Sequence, residues 1–192
     1  MASITCEGKI VVVTDSSVTD GYGFRRILSE PKIWNMGCLI IGEAGSNFAL
    51  SRIRQKTARV KKWEELRDPY TFGDLVCEVQ NEVRGEGGTE PIDAELLHIS
   101  GDEDNKPILH VVDGDGGISG PYEHSAVGHG AVIALPLMDT LLSKKYFPGK
   151  KTVIKVTNRL TDIMKVTAQY SDSVCEPFYS KVFDPAAKFQ EL

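Results

Sequence analysis

The sequence predicts an α+β fold in which two stacked β-sheets lie between two layers of helices, a four-layer αββα sandwich. Segments rich in β-branched residues alternate with segments that have one apolar helical face, in the order strands, two helices, strands, two helices and a strand. The hydrophobic content of 41% over 192 residues is enough for one core, and neither an internal repeat nor a linker divides the chain. We therefore expect a single domain, residues 1–192.

The first half of the chain contains two hairpins and two helices. The hairpins pair residues 3–6 with 10–14 and residues 32–36 with 38–42, and a polar loop containing Gly21 and Gly23 lies between them. The turn at 42–46 opens a helix that we expect to reach about residue 65, with Ser46 or Asn47 as its cap. A second helix covers residues 71–84.

The second half repeats this order. Residues 94–100 and 108–113 form a hairpin, a glycine-rich loop follows at 113–120, and residues 123–128 form a short strand. Helices are expected at 131–142 and 152–169, and a last strand at 177–183. Pro136 lies inside the third helix, so it either kinks that helix or marks a later start.

Composition and charge restrict the function classes. The formal charge of -5, from 22 basic and 27 acidic residues, argues against a dedicated nucleic-acid binder. Basic residues cluster at 52–62, but the apolar positions Leu50, Ile53 and Val60 leave them on the solvated face of a helix. We expect no secretion signal, because the start has no apolar core, and no membrane span, because no apolar run reaches about 18 residues.

The four cysteines are scattered without a CxxC pair, which predicts neither a zinc site nor a disulfide framework and is typical of a cytoplasmic protein. His98 and His110 fall opposite each other in the third hairpin. A metal pair lacks a third ligand at suitable spacing, so cross-strand packing is the favoured interpretation. We expect no metal and no cofactor.

Two charged residues lie at strand ends, where the backbone can direct them into a cleft. Asp15 ends one strand and Lys32 begins the next. A lysine beside a carboxylate stays charged and lowers the pKa of a neighbouring amine or hydroxyl, which helps a weak nucleophile. Gly42, followed by Gly45, could present backbone N–H groups to a developing oxyanion. On residue types alone, a surface ion pair and ordinary turn chemistry remain the favoured alternatives.

Several runs resemble one family. These are IVVVTDSSVTDG, PKIWNM, IIGEAGSNFALSRIR, SAVGHGAVIAL and QYSDSVCEPFYSKVF. A strand ending in aspartate, a threonine shortly after it, a lysine opening the next strand and a GxxG turn into a helix resemble the proteasome β-subunit and its bacterial ring-peptidase relatives. The resemblance implies an N-terminal-nucleophile hydrolase sandwich that cleaves peptide bonds inside a homo-oligomeric ring. A peptide or unfolded protein is the implied substrate, and an activating ATPase is an implied partner.

The resemblance also implies site residues. Asp15 and Lys32 become the charged partners of the nucleophile, the Gly42 amide forms the oxyanion hole, and Asp172 orients the catalytic network. The substrate would be held as an added strand by the backbone of Thr19, Gly42 and Ala44. The first specificity pocket, lined by Ile40, Val18 and Ala44, would accept an apolar or small side chain.

The chain departs from the family pattern at the proton-relay end of the site. His129, between two glycines, stands where the family has a serine. An imidazole titrates near about 6.5 and could act as a base at neutral pH, although a structural or exposed loop histidine is the favoured alternative. Cys175 stands where a second serine is expected, with Ser173 as a possible substitute.

The larger departure is at the nucleophile. In the family this is an amino-terminal threonine whose own amine acts as the base. Matching the first hairpin places Ala2 nearest that position, with Ser3 beside it. An engineered Thr→Ala change, a natural inert subunit, and trimming that exposes Ser3 are the three explanations. Two function hypotheses follow: a peptidase subunit, or a catalytically inert structural subunit of the same kind of assembly.

Overall fold

The computed structural model describes residues 1–19, 25–27, 31–36, 39–85, 87 and 93–187. The strands are β1 (Ala2–Ile4), β2 (Ile10–Thr14), β3 (Ser17–Thr19), β4 (Arg25–Ile27), β5 (Ile33–Asn35), β6 (Ile40–Gly45), β7 (Ala94–Gly101), β8 (Pro107–Asp113), β9 (Ile118–Ser119), β10 (His124–Ser125) and β11 (Tyr179–Phe183). The α-helices are α1 (Asn47–Thr57), α2 (Pro69–Gly85), α3 (Ala131–Leu141) and α4 (Val153–Tyr170).

The strands form two antiparallel sheets and a small hairpin. The four-stranded sheet has the order β10-β1-β2-β11, and the five-stranded sheet has the order β5-β6-β7-β8-β9. β3 pairs with β4 as a separate two-stranded unit. The three long hairpins predicted from the sequence are confirmed, including the register that places His98 opposite His110.

Three apolar clusters connect four layers. The alternation of side chains along β2 divides its residues: Ile10 and Val12 face the other sheet, while Val11 and Val13 face α3 and α4. A third cluster joins α1 and α2 to the outer face of the five-stranded sheet, around Phe72. The layers are therefore helices, sheet, sheet, helices, as predicted.

The first helix is shorter than predicted. α1 is capped by the Ser46 side chain, which accepts from the Ala49 N–H at 3.2 Å, but it ends at Thr57 and a short 3-10 helix follows at Trp63–Arg67. At about 100° per residue, a continuous helix would turn Leu66 to the side opposite Thr57. The break instead lets Leu66 enter the core with 2% of its surface exposed.

Three further details differ from the sequence-based prediction. β6 continues to Gly45, so Gly42 lies within a strand and not in a turn. The segment predicted as a polar loop contributes the paired strands β3 and β4, while Gly21 and Gly23 lie outside the described residues. α3 begins at Ala131 with the exposed Pro136 inside it, so the alternative of a later helix start is wrong. Among the described residues, no helix is long and apolar enough to cross a membrane.

Candidate active site

A cleft of about 700 Å³ opens where β2 ends. Its walls come from residues 12–15 of β2 and its end, residues 42–45 of β6, the loop at 126–131, and α4. Asn47 and Leu50 of α1 also line it, so both sheets and both helical layers contribute to one concave surface. Of the residues proposed from the sequence, those that line the cleft are Asp15, Lys32, Gly42, Ala44 and His129.

Asp15 and Lys32 form the charged centre of the cleft. Lys32 Nζ donates to Asp15 Oδ1 at 3.0 Å, and the two side chains are 20% and 9% exposed. Asp15 follows the end of β2 and Lys32 precedes β5, so the pair joins the two sheets. The sequence-based expectation that these residues meet is correct, and their burial makes the pair more than a surface salt bridge.

Ser17 belongs to the same group, and the sequence analysis missed it. Its hydroxyl hydrogen-bonds with Asp15 Oδ2 and lies 2.7 Å from the carbonyl oxygen of Ser173. The Ser17 N–H also donates to Asp15 Oδ2, at 3.3 Å. These contacts leave Asp15 Oδ1 for Lys32 and fix the orientation of the carboxylate. The sequence signal for such a turn is the strand-end aspartate itself, whose side chain accepts from the backbone N–H two residues on.

Met1, and not the neighbouring Ala2 proposed from the sequence, lines the cleft. The Met1 amine donates to the Val13 carbonyl at 2.9 Å, and Met1 lines the cleft. Burial lowers the pKa of this amine to about 5, although Asp15 acts to raise it; Lys32 lowers it further. The amine is therefore uncharged at neutral pH and lies within the field of the Asp15–Lys32 pair.

Ala2 and Ser3 lie outside the cleft. Ala2 pairs with Val12, and its side chain is fully buried in the core between the sheets. Ser3 pairs with Val11, also fully buried, two residues farther from Asp15 than Met1 is. At about 3.3 Å per residue, this places Ser3 roughly 7 Å along the strand from Met1. The difference arises because the loop of the first hairpin fixes the register, which residue order alone does not reveal.

The backbone of β6 directs different amides into the cleft from those expected. Glu43 N–H donates to the Lys32 carbonyl at 3.1 Å, on the β5 side, and Ser46 N–H donates to the Asp93 carbonyl at 2.7 Å, on the β7 side. Because successive N–H groups alternate along a strand, the Gly42 N–H points toward β7 and the Gly45 N–H points away from it. Gly45, not Gly42, therefore has the amide directed away from the sheet's interior.

Gly45 is required at this position. Its φ is +128°, and a Cβ there would lie 2.1 Å from the Asp93 carbonyl oxygen. Any other residue would displace the junction between β6 and α1, so glycine is the residue that lets the strand end against β7 and the helix begin at once.

An ion pair between a buried carboxylate and a partly exposed guanidinium lies in the wall of the cleft beside Gly42. The Glu43 carboxylate, with 5% of its side chain exposed, accepts two hydrogen bonds from the Arg54 guanidinium of α1, one of them 3.0 Å long at Nε. Burial raises the pKa of Glu43, and the Arg54 charge opposes that rise. Sequence reasoning missed this pair because its members are 11 residues apart on different elements.

His129 lies on the rim of the cleft, in the loop between β10 and α3. It is exposed and lies between two tightly packed glycines. A Cβ on Gly128, whose φ is +87°, would come within 2.8 Å of Ala44 Cβ, and the Gly128 N–H donates to Glu95 Oε2 at 2.6 Å. These contacts hold the loop against β6 and leave the imidazole facing solvent.

The other proposed residues are distributed differently. Asp172 is exposed and outside the cleft lining, although its neighbours Ser173 and Val174 belong to it. Ile40 lies in the core between the sheets, 2% exposed, so it does not line a pocket of the cleft. Val18 and Thr19 belong to strand β3.

The remaining sequence-based alternatives concern metal and thiol chemistry. His98 Nε2 lies 2.8 Å from the Leu66 carbonyl and its ring packs on Phe72 at 5.3 Å, while the His98 and His110 rings are 6.4 Å apart. In the described part of the chain, no group of three or more potential ligands could hold a metal ion. Cys6, Cys77 and Cys175 are free thiols.

Comparison with known proteins identifies the family. A family model described as proteasome subunit matches residues 2–173, which is most of the chain. The chain belongs to the proteasome subunit family. The αββα layers described above are thus those of a proteasome subunit. Comparison with curated proteins finds no significant match.

Solved structures with the same fold cover nearly the whole chain. BPH from Thiobacillus denitrificans, in complex with epoxomicin, has a TM-score of 0.74 at 14% identity, covering 97% of this chain and 98% of that one. Anbu, an ancestral β-subunit from Yersinia bercovieri, has a TM-score of 0.72 at 17% identity, with 95% and 80% covered. Eukaryotic HslV from Trypanosoma brucei has a TM-score of 0.67 at 20% identity, with 95% and 98% covered. The N-terminal-nucleophile hydrolase fold predicted from the sequence is confirmed.

Proposed function

We propose that this proteasome subunit binds an extended peptide in its cleft and, with Met1 at the reacting position, holds the peptide without cleaving it. One observation carries the proposal: the Asp15–Lys32 pair, with its 3.0 Å contact, is intact beside a residue whose side chain has no hydroxyl. A site that keeps this pair retains the charged surroundings of the reacting position. Without a nucleophilic oxygen it forms no acyl intermediate.

Peptide binding is supported by the backbone around the cleft. Gly45 has an amide directed away from β7, and Thr19 lies in a short strand near the same end of β2. A peptide between them would pair through main-chain hydrogen bonds, which accept many sequences. The same Gly45 amide is the better candidate for an oxyanion donor, because the Gly42 amide is directed into the sheet.

The second candidate function is peptide-bond hydrolysis, and the state of the Met1 amine favours it. An amine with a pKa of about 5 is uncharged at neutral pH and is ready to accept a proton from a nearby hydroxyl. For hydrolysis, the residue that carries this amine would itself have to supply the hydroxyl, as an amino-terminal serine or threonine does. His129 could then exchange protons with solvent at the rim, and Asp172 could orient the loop that carries Ser173. If trimming exposed Ser3, its hydroxyl would still lie roughly 7 Å along the strand from the position of Met1 in the cleft.

We propose that the assembly is a homo-oligomeric ring in which the cleft faces an enclosed chamber, in the cytoplasm. The family and the similarity to HslV and Anbu support this. Substrates would be peptides or unfolded proteins, and an ATPase activator would deliver them. Size measurement by light scattering tests the ring, since a monomer at working concentrations would contradict it.

The cleft is tested by restoring the nucleophile. Met1→Thr, made with a removable tag so that the new residue carries the free amine, should hydrolyse fluorogenic peptides and gain the mass of epoxomicin, the compound bound in the BPH structure. Met1→Val is the matched control, because it has the same shape without the hydroxyl. The original protein should bind a fluorescein-labelled unstructured peptide, followed by anisotropy, and should show no hydrolysis.

Each outcome decides between the candidates. Hydrolysis by the original protein, together with a processed amino terminus in its mass spectrum, would replace the binding proposal with the second candidate. Failure of both the original protein and Met1→Thr to bind any peptide would reject a peptide cleft altogether. Equal activity of Met1→Thr and Met1→Val would show that no hydroxyl nucleophile acts at this position.

A further inference from the structure

The connection between α3 and α4 is strongly basic in an acidic protein. Residues 140–161 carry six basic side chains and no acidic one, whereas the whole chain has a net charge of -5. The basic residues are Lys144, Lys145, Lys150, Lys151, Lys155 and Arg159. Such a concentration of one charge creates a local potential opposite in sign to that of the rest of the molecule.

The fold gathers these charges on one surface. The Phe147 N–H donates to the Ser143 carbonyl at 2.9 Å, and the Phe147 side chain is buried in the α3–α4 core. The Arg159 guanidinium lies 5.9 Å above the Phe147 ring. Lys155 is one helical turn before Arg159 and faces the same side of α4, so the connection lies against the side that carries Lys155.

We call the exposed part of this surface the lysine patch, formed by Lys144, Lys145, Tyr146, Lys150, Ile154 and Lys155. Two of its members are large apolar or aromatic side chains: Ile154 is 74% exposed and Tyr146 is 48% exposed. Lys145 Nζ lies 5.1 Å from the centre of the Tyr146 ring. The lysine patch therefore combines positive charge with apolar area.

Among the residues that the structure describes, no carboxylate forms an ion pair with a lysine of the lysine patch. In the other basic run, at 52–62, Arg54 pairs with Glu43, Lys56 with Glu78 and Glu82, and Lys62 with Glu65. Within the described part of the chain, the one ion pair made by this connection joins Lys151 to Glu123 at 3.7 Å. The four lysines of the patch enter none.

The positions of these residues do not contribute to the stability of the isolated subunit. Lys155 lies in the first turn of α4, which has no acidic residue, although the helix dipole favours negative charge there. Like charges close together repel, and exposed Ile154 and Tyr146 lose the stabilisation that burial would give. A partner with negative charge and an apolar side chain would remove all three penalties.

We propose that the lysine patch docks an acidic segment of a partner protein that also carries an apolar side chain. Ammonium groups would pair with carboxylates at the rim, and Ile154 and Tyr146 would take the apolar side chain. Nucleic acid fits less well, because a long polyanion would also meet the acidic remainder of the chain. The lysine patch, as defined above, contains no arginine, whose planar guanidinium suits phosphate recognition.

This docking is separate from the proposed peptide cleft. The Cys6 N–H donates to the Lys151 carbonyl at 3.0 Å, which places the connection beside the turn between β1 and β2. The cleft lies at the other end of β2, beyond Thr14. The inference does not depend on peptide binding or hydrolysis, and either can fail without the other.

The test uses the whole protein and a short fluorescein-labelled peptide of repeated Glu-Glu-Leu, with binding followed by anisotropy. We expect saturable binding that weakens at least about tenfold between roughly 50 and 200 mM salt, because exposed charges are screened. Replacing Lys144, Lys145, Lys150 and Lys155 with glutamine should weaken it by at least about tenfold. Ile154→Ser alone should weaken it about threefold, since the apolar contact is lost.

The matched control removes the same charge elsewhere: Arg59, Lys61, Lys62 and Lys165, all exposed, are replaced with glutamine. Binding by the control should change less than about twofold. On the original protein, the peptide should also protect Lys144, Lys145 and Lys150 from acetylation, measured by mass spectrometry, but not Lys61. This second measurement requires no variant to fold.

Several results would overturn the proposal. These are an equal loss of binding in both glutamine variants, equal binding of a Glu-Glu-Ser peptide, or protection of Lys61 with the patch lysines. Tighter binding of single-stranded oligothymidylate, or of vesicles containing phosphatidylglycerol, would assign the lysine patch to nucleic acid or to membranes instead.

Discussion

The Ser17 hydroxyl hydrogen-bonds with the Asp15 carboxylate and at the same time lies 2.7 Å from the carbonyl oxygen of Ser173. One hydroxyl hydrogen thus has two acceptors, one on the charged centre of the cleft and one on the loop that follows α4. Ser17 is 1% exposed, so no water replaces these contacts if they are lost. Ser17 thus connects Asp15, at the end of β2, with the loop that follows α4.

Ser17→Ala should therefore reduce the free energy of unfolding by about 2 kcal/mol, the range for a buried hydrogen bond to a charged group. Urea denaturation at pH 7 measures this. Ser180→Ala, at an exposed position of β11, is the control and should change stability by less than about 0.5 kcal/mol. Equal effects of the two variants would mean that Ser17 does not hold Asp15.

Lys32→Met should destabilise the protein by about 3 kcal/mol, because it leaves the buried Asp15 carboxylate without its cation. Asp15→Asn in the same molecule should restore part of that loss, since the uncompensated charge disappears. A double-mutant cycle from urea denaturation gives the coupling. Additive losses in the double variant would contradict a direct interaction between the two side chains.

Arg54→Met should reduce the free energy of unfolding, because the Glu43 carboxylate then stays buried without its cation. The Arg54 side chain is 45% exposed, so screening reduces the loss to about 1–2 kcal/mol at pH 7. Burial already raises the Glu43 pKa above its unfolded value, and without Arg54 it should rise further.

The folded state then binds more protons than the unfolded state above the ordinary Glu pKa of 4.5. Stability therefore falls as pH rises, and the penalty of Arg54→Met should shrink as the pH is lowered from 7 toward 5. Urea midpoints across this range measure the trend, with Glu43→Gln/Arg54→Met as the control that cannot titrate. A penalty that is constant or grows on acidification would contradict it.

His98 should make the fold sensitive to acid. Burial lowers its pKa from 6.5 to about 4; the hydrogen bond to Leu66 opposes this, as does Asp68, whereas His110 adds to the lowering. Between these two pH values the unfolded chain binds more protons than the folded one, so stability is lost as the pH falls from about 6.5 to about 4. The full contribution is roughly 3 kcal/mol.

His98→Gln keeps a donor for the Leu66 carbonyl and removes the titration. Its stability should fall less steeply over the same pH range than that of the original protein, whatever its stability at pH 7. Urea denaturation at a series of pH values compares the two slopes. Parallel curves of stability against pH would show that His98 does not cause the loss of stability in acid. His110 contributes to both curves alike, since burial also lowers its pKa.

Local patterns determined most of the fold. The β-branched runs at 10–14 and 107–113 and the apolar faces of α2 and α4 are periodic over their whole length, so element type follows from short-range chemistry. The end of α1 could not be read in this way. It depends on Leu66, which must enter a core that forms only when the helices pack on the sheet.

The candidate site, too, was determined partly by the sequence and partly by the tertiary structure. By itself, the sequence determined that Asp15 and Lys32 lie at strand ends, because both positions follow from where β-branched runs stop and start. That the two residues act together was implied by the family resemblance. The tertiary structure decided that Met1 and not Ala2 reaches the cleft, that Gly45 and not Gly42 directs its amide outward, and that Ser17 and Glu43 are buried beside it. The physical reason is register. A shift of one residue along a strand reverses which side chain and which N–H face the cleft, and only the paired strand fixes that shift.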